Sequence, residues 1–359
     1  MIPRYSSSQD DPSGRAEDTG PGVGSCEDDL WFLSGPLEDG DSVLLPDAVH
    51  PQNESSILAD WVRAEATLAA PLARAAGRLG ALDDRLRRGP EGWRHRLALI
   101  EAADLSWFVG DRIAPDRLAL WVALRLAGVQ QDTAALARLG WAVRRLTDGP
   151  GPFAGLDTFL GRHDPENQDA LADRFADRAG NWLDLMQAGA GMHPISRACM
   201  GYHLWSLAGL GSHGDQMEAA VTAARIAASE GASGGTGAVF APLAMGGAIG
   251  LRASRSPAAR LKRWLDGMET ALLASMHHLD QVEAWDVRAQ SVTASLSGRT
   301  PPALRTVLTA WPLVSAPMAE ALTGASRAAV QRNLAWLEAR GLIREVTGQG
   351  RFRFWRCAL

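Results

Sequence analysis

The chain has 359 residues, 46% of them hydrophobic, and a net charge of −5 at pH 7. This length allows two or three domains, each with a hydrophobic core. Three widely spaced cysteines exclude a disulfide framework and a cysteine metal site, and they are typical of a reduced cytoplasm. No apolar run reaches about 18 residues, and no basic segment precedes an apolar stretch as in a signal peptide. We therefore expect a cytoplasmic protein with no membrane partner.

The first 60 residues carry 13 acidic side chains against two arginines, and residues 1–29 are rich in Ser, Asp, Gly and Pro. Such a segment cannot bury enough apolar surface to fold, so residues 1–29 are predicted to be a disordered acidic leader. Its negative charge either keeps the chain soluble or competes with nucleic acid for a basic partner surface.

Apolar residues recur at helical spacing from Ser55 to Ser297, which predicts all-α structure. The run from Asp148 to Pro152 resembles a linker. We expect an N-terminal helical domain over residues 30–148 and a second helical region over 149–298, which is either separate from the first or continuous with it. The expected helices begin at Ser56 and then cover Gly77–Arg88, Trp93–Val109, Pro115–Gly128, Thr133–Thr147, Asp169–Ala188, Pro194–Leu210, Gln216–Ser229 and Pro257–Ser297, the last with a break near Ala274.

Three groups of residues in this helical part are similar in composition to metal or phosphate sites. His277 and His278 precede Asp280 and Glu283, but adjacent helical residues point about 100° apart, which favours a solvated helix face over a metal site. His193, His203 and His213 have no carboxylate at metal-ligand spacing. The stretch Gly231–Gly237 follows no strand and lacks the ending of a phosphate-binding loop. We therefore predict no catalytic residue, no metal and no cofactor.

The last 61 residues, 299–359, differ from the rest in charge. They contain nine arginines, no lysine and three acidic residues, which gives +6 and leaves −11 on residues 1–298. A charge division of this kind indicates a part that faces nucleic acid.

The pattern of residues 299–359 predicts three helices and a β-hairpin. The helices are expected from Ala303 to Ala310, after the N-cap Ser315, and from Arg327 to about Arg340 after the N-cap Ser326. Strands are expected over Leu342–Val346 and Arg351–Trp355. This order is that of a winged helix-turn-helix, so the predicted fold class is mainly α, a multi-helical domain followed by a C-terminal winged helix-turn-helix.

In that fold, the third helix enters the major groove of DNA with its N-terminal residues nearest the bases. Arg reads guanine, Gln reads adenine, and a helix N-terminus suits a phosphate. On the hairpin, Phe352 and Phe354 alternate with arginines, so that one face packs inward and the other follows the DNA backbone. Two alternatives are a winged helix that binds protein and a helical cap without this fold. The predicted DNA-binding residues, with Ala329 on the same face, are Ser326, Arg327, Gln331, Arg332, Arg351 and Arg353.

Three stretches resemble a group of alphaproteobacterial proteins, often plasmid-borne, that join a helical domain of unknown function to a C-terminal helix-turn-helix. They are Leu79–Trp93, Glu101–Trp121 and, most specifically, Pro312–Trp355. This group is distantly similar to Fic-type proteins, in which a His-Pro-Phe…Gly-Asn-Gly-Arg loop carries nucleotide chemistry. Residues 210–215 stand in place of that loop within Met200–Arg225, without Pro-Phe after His213 and without Gly-Asn-Gly-Arg.

The resemblance thus implies DNA binding without the Fic-type catalytic motif. We expect a transcriptional regulator that binds double-stranded DNA, as a homodimer on two half-sites. The helical region is expected to set the oligomeric state or to sense a ligand or protein partner. The alternatives are a Fic-like nucleotide-transferring enzyme with a regulatory winged helix and a protein-interaction scaffold.

Overall fold

The computed structural model describes residues 51–124, 133–162, 170–211, 216–228, 238–348 and 352–359. The predicted acidic leader, the stretch Gly231–Gly237 and His213 lie outside these ranges. The described residues are mainly helical, with two short 3₁₀ helices at Pro152–Ala154 and Ala248–Leu251. The α-helices are α1 (Pro51–Thr67), α2 (Ala69–Arg88), α3 (Gly92–Val109), α4 (Pro115–Leu124), α5 (Thr133–Thr147), α6 (Leu156–Leu160), α7 (Ala170–Ala188), α8 (Pro194–Trp205), α9 (Gln216–Ala227), α10 (Pro257–Thr293), α11 (Thr300–Ala310), α12 (Ala316–Thr323) and α13 (Arg327–Ala339).

Three antiparallel strands complete the described structure: β1 (Val314–Ser315), β2 (Ile343–Glu345) and β3 (Phe354–Cys357). They form one sheet in the order β1-β3-β2. Val314 lies opposite Trp355 in the first pair, and Ile343 lies opposite Cys357 in the second. The short strand β1 was not expected from the sequence.

Several helix boundaries differ from the sequence-based expectations. The first helix ends at Thr67 and the second begins at Ala69, because Leu68 leaves helical geometry with φ −106° and ψ 23°. Gly77 therefore lies inside α2, at an exposed position, rather than at the start of the helix. The expected break near Ala274 is absent, since α10 runs unbroken for 37 residues. The last residue of the predicted linker, Pro152, begins the 3₁₀ helix Pro152–Ala154, and the short helix α6 after it was not expected from the sequence.

Helices α1 to α9 and α10 as far as Val282 share one hydrophobic core, which we call the helical body. Its largest fully buried side chains include four tryptophans on four different helices: Trp61, Trp182, Trp205 and Trp264. No α-helix among the described residues is both long and apolar enough to cross a lipid bilayer.

A buried carboxylate fixes one irregular segment of the helical body. Glu101 on α3 is fully buried, and its two carboxylate oxygens accept hydrogen bonds from the backbone N–H groups of Leu243, Ala244 and Met245 at 2.8–3.1 Å. Asp104, one turn later, accepts from the N–H of Gly246 at 3.3 Å. These bonds satisfy backbone donors in a segment that belongs to no helix or strand.

Residues 299–359, here called the C-terminal module, surround a second core formed by α11, α12, α13 and the sheet. Two side chains of α10, Trp285 and Ala289, are fully buried in that core. The indole N–H of Trp285 donates to the carbonyl of Leu342 at 2.7 Å. The last turns of α10 therefore belong to the core of the module.

Arg96 on α3 joins the C-terminal module to the helical body. Its Nη2 donates to the carbonyls of Leu308, Thr309 and Trp311 at 2.8, 3.2 and 2.6 Å. These carbonyls end α11 and have no partner within that helix. Gly92 makes the close approach feasible, since a Cβ there would lie 2.4 Å from the carbonyl oxygen of Ala310.

Candidate nucleic-acid interface

Helices α12 and α13 are joined by a three-residue turn whose sequence explains its tightness. Gly324 ends α12 with φ +65°, a conformation that glycine adopts without strain. Ser326 then caps α13, its Oγ accepting from the N–H of Ala329 at 3.4 Å. Ser315 caps α12 in the same way through Met318 at 3.3 Å. Both N-caps expected from the sequence are confirmed.

The two faces of α13 are clearly different. Val330, Leu334 and Leu337 are buried in the module core, as their spacing predicts. The predicted contact residues Ser326, Arg327, Gln331 and Arg332 are exposed, and they lie together on the N-terminal half of the helix. Ala329, expected beside them, is half-buried, and Ala328 is exposed instead. From Gly324 to Leu337 the sequence contains no acidic residue.

The hairpin between β2 and β3 differs from its expected form. Strand β3 begins at Phe354, so Phe352 lies before the strand and the predicted alternation of the two phenylalanines fails. Phe354 is 7% exposed, whereas Phe352 is 75% exposed and has φ +56°. Arg351 lies outside the described residues. The structure therefore places a large apolar side chain in solvent near the tip of the hairpin.

Arg353, a predicted contact residue, is engaged within the module. Its guanidinium lies 3.2 Å from the carboxylate of Glu338 on α13 and 4.9 Å from the ring centroid of Trp355. The indole N–H of Trp355 donates to the same carboxylate at 3.1 Å. These contacts tie the hairpin to α13, so Arg353 supports the position of the hairpin.

Other arginines of the module are also held by partners. Arg344 and Arg356, opposite each other on β2 and β3, both contact Asp116 of α4, at 3.4 and 3.3 Å. Arg305 pairs with Asp286 of α10 at 2.7 Å, and Arg340 covers the ring of Trp336 at 3.5 Å.

Some arginines of the module are therefore paired with acidic side chains within the described residues, whereas others are not. Neither Arg327 nor Arg332 forms an ion pair among the residues that the structure describes. They are on the same exposed half of α13 as Gln331. The net charge of residues 299–359 does not reveal which arginines are paired, because the acidic partners Asp116 and Asp286 lie in other parts of the chain.

The histidines of the helical body differ in burial and in their contacts. His203 stacks on Trp61 with ring centroids 6.2 Å apart, and burial lowers its pKa to about 4. His277 is exposed, whereas His278 is half-buried, so the expected solvated face holds only for the first of the pair. Asp280 and Glu283 pair with Arg85 of α2 at 2.7 and 2.9 Å. Within the described ranges, no three His, Cys, Asp or Glu side chains lie close enough to hold a metal ion.

Comparison with protein-family models gives no match to this chain, and comparison with curated protein sequences gives none either.

Proposed function

We propose that the chain is a DNA-binding protein, a transcriptional regulator that contacts duplex DNA through its C-terminal module. In this proposal the module is a winged helix-turn-helix, with α12 and α13 as the helix-turn-helix and the β2–β3 hairpin as the wing. The observation that carries it is the exposed, acid-free N-terminal half of α13. Arg327, Gln331 and Arg332 lie there after a three-residue turn that contains Gly324, which is the spacing that this motif requires.

The rest of the module supports this assignment. Short strand β1 before α12 pairs with β3, so the hairpin is held beside the two helices. The ion pair between Arg353 and Glu338 fixes the hairpin to α13 itself. Exposed Phe352 near the hairpin tip provides an apolar contact for the sugar edge of a groove. A homodimer on two half-sites is the form in which such motifs usually bind.

The proposal is tested with the full chain and duplex DNA selected from a random pool. We expect the affinity to fall steeply as salt increases, because phosphate contacts release counterions. Arg327→Ala and Arg332→Ala should each weaken binding about tenfold or more, which is the usual loss for a base-contacting or phosphate-contacting arginine in the groove. Fluorescence anisotropy at several salt concentrations measures both effects.

Arg344→Ala is the matched control. It removes the same charge from the same module, but Arg344 is directed to Asp116 in the helical body. We expect this variant to keep most of its affinity. DNA binding that is insensitive to salt and to both α13 substitutions would exclude the proposal, and capture of a protein by the same α13 surface would point to the protein-binding alternative.

A further inference from the structure

The exposed side of α13 has an outer face that points directly away from the module core. Val330 and Leu334 are buried in that core. Since successive helical residues are about 100° apart around the axis, the side chains opposite this pair can be read from the sequence. Within residues 327–335 they are Ala328, Arg332 and Ala335, and all three are exposed. The outer face of α13 is therefore one arginine between two methyl groups.

Arg327 and Gln331 lie instead on the flank of α13 that is nearer the hairpin. Glu338 marks this flank, because its carboxylate lies 3.2 Å from the guanidinium of Arg353 in the hairpin. Residues seven and eleven positions apart share one side of a helix, which places Gln331 and Arg327 on the same side as Glu338. Arg327 and Arg332 therefore point in different directions.

The composition of the outer face suits a particular edge of the DNA major groove. Thymine presents a C5 methyl group there, whereas guanine presents the two acceptors N7 and O6. An alanine side chain contacts a thymine methyl group without leaving a polar group unpaired, and it is short enough for the helix backbone to come close to the bases. Arginine donates to both guanine acceptors.

We propose that the outer face of α13 reads two thymines with a guanine between them, Ala328 and Ala335 contacting the thymine methyl groups and Arg332 donating to the guanine. Arg327 contacts a backbone phosphate. This inference rests on the proposed function and assigns the residues that set its sequence preference. Ala328 and Ala335 are about 10 Å apart along the helix, which is the length of about three base pairs.

Deoxyuracil in place of thymine removes only the methyl group, so it tests the two alanine contacts in the duplex selected by the full chain. We expect about fourfold weaker binding at each of two positions about three base pairs apart, the loss expected for one buried methyl group. Ala328→Gly should abolish the effect at one position, and Ala335→Gly at the other. Ala321→Gly, at an exposed position of α12, controls for the low helix propensity of glycine and should retain both losses.

The two arginines are distinguished by different measurements. Arg332→Ala should remove the preference for the G·C pair between the thymines. Arg327→Ala should keep every base preference, weaken binding to all duplexes alike and lower the slope of log affinity against log salt by about 0.9. Circular dichroism verifies that each variant is folded.

Three results would overturn this inference while leaving the proposed function intact. They are specific binding that ignores deoxyuracil at every position, methyl-dependent losses that persist in both glycine variants of α13, and a changed base preference in Arg327→Ala. Absence of salt-dependent DNA binding by the full chain would overturn the proposed function and this inference together.

Discussion

Two charged side chains of α3 are buried because each satisfies backbone groups that lie outside regular hydrogen bonding. Arg96 donates hydrogen bonds to the carbonyls at the end of α11, and these bonds offset the cost of burying its charge. Glu101 receives N–H groups from Leu243 to Met245. Replacing Arg96 or Glu101 by an apolar residue would leave buried backbone groups without a hydrogen-bond partner. Such a loss is more costly than the loss of an exposed ion pair.

Glu101 should make the stability of the protein depend on pH. Burial raises the pKa of this carboxyl to about 7, against the lowering effect of its three backbone N–H partners. Because the folded pKa is raised above the usual 4.5, the folded state holds the proton more tightly between these values. We expect the free energy of unfolding to fall as pH rises from about 4.5 to about 7, by up to about 3 kcal/mol from this group.

Glu101→Gln is the comparison that isolates this effect. Gln cannot titrate, so the stability difference between wild type and variant should shrink as pH rises over the same range. The comparison with the variant is needed because His203 and His278 have lowered pKa values, which make the free energy of unfolding rise with pH. Urea unfolding at several pH values measures it, and a difference that stays constant with pH would show that Glu101 does not titrate in this window.

At the scale of elements, α10 approaches the 3₁₀ helix Ala248–Leu251 so closely that only glycine fits. A Cβ on Gly267 would lie 2.5 Å from the Cα of Gly250. Both atoms belong to backbone, which cannot move aside as a flexible side chain can. Gly267→Ala should therefore destabilise the fold by about 1–3 kcal/mol, as overpacking does.

The matched control for Gly267→Ala is Gly77→Ala on the exposed face of α2. A Cβ there meets nothing within 4 Å, and alanine favours the helix over glycine. We expect this variant to be more stable by about 0.5–1 kcal/mol. Thermal unfolding of both variants measures the contrast, and equal effects would contradict the close approach of the two backbones.

The elements that the sequence predicted well are those with local signals. Signals within one or two turns specify the N-caps Ser315 and Ser326, the helix-ending Gly324 and Gly341, and the boundaries of α5. The break at Leu68 also has a local signal, since Pro71 has no N–H to donate to the carbonyl of Thr67. Helix α10 contains no Gly or Pro between Gly267 and its end, and it continues past Ala274. The two-residue strand β1 has no such local signal, because it is defined by its pairing with β3.

For the whole molecule, the sequence predicted where the candidate site lies but not how its charge is distributed. Ser326, Arg327, Gln331 and Arg332 are exposed together because helical periodicity places them opposite Val330 and Leu334. The engagement of Arg344 and Arg356 follows from Asp116, more than 200 residues earlier in the chain. Net charge alone cannot reveal such pairs.

The cores also predict which part of the chain folds as a unit. Trp285 is fully buried among residues of the C-terminal module, so a fragment of residues 299–359 lacks a central side chain of its own core. It also lacks Asp286, which pairs with Arg305 and accepts from the hydroxyl of Thr309 at 2.9 Å. We expect this fragment to be poorly folded, whereas a fragment of residues 281–359 should show dispersed nuclear magnetic resonance signals.

In the full chain, Trp285→Ala should test the same dependence without truncation. Removing a buried indole costs about 3–5 kcal/mol, and the loss should weaken DNA binding by disordering the module that presents α13. Val287→Ala, two residues away and 67% exposed, is the control and should change neither stability nor binding. If Trp285→Ala leaves thermal stability unchanged and residues 299–359 fold alone, the module is independent of α10. If Trp285→Ala is destabilised and residues 299–359 do not fold alone, the last turns of α10 form part of any DNA-binding unit. Helix α10 then links that unit directly to the core of the helical body.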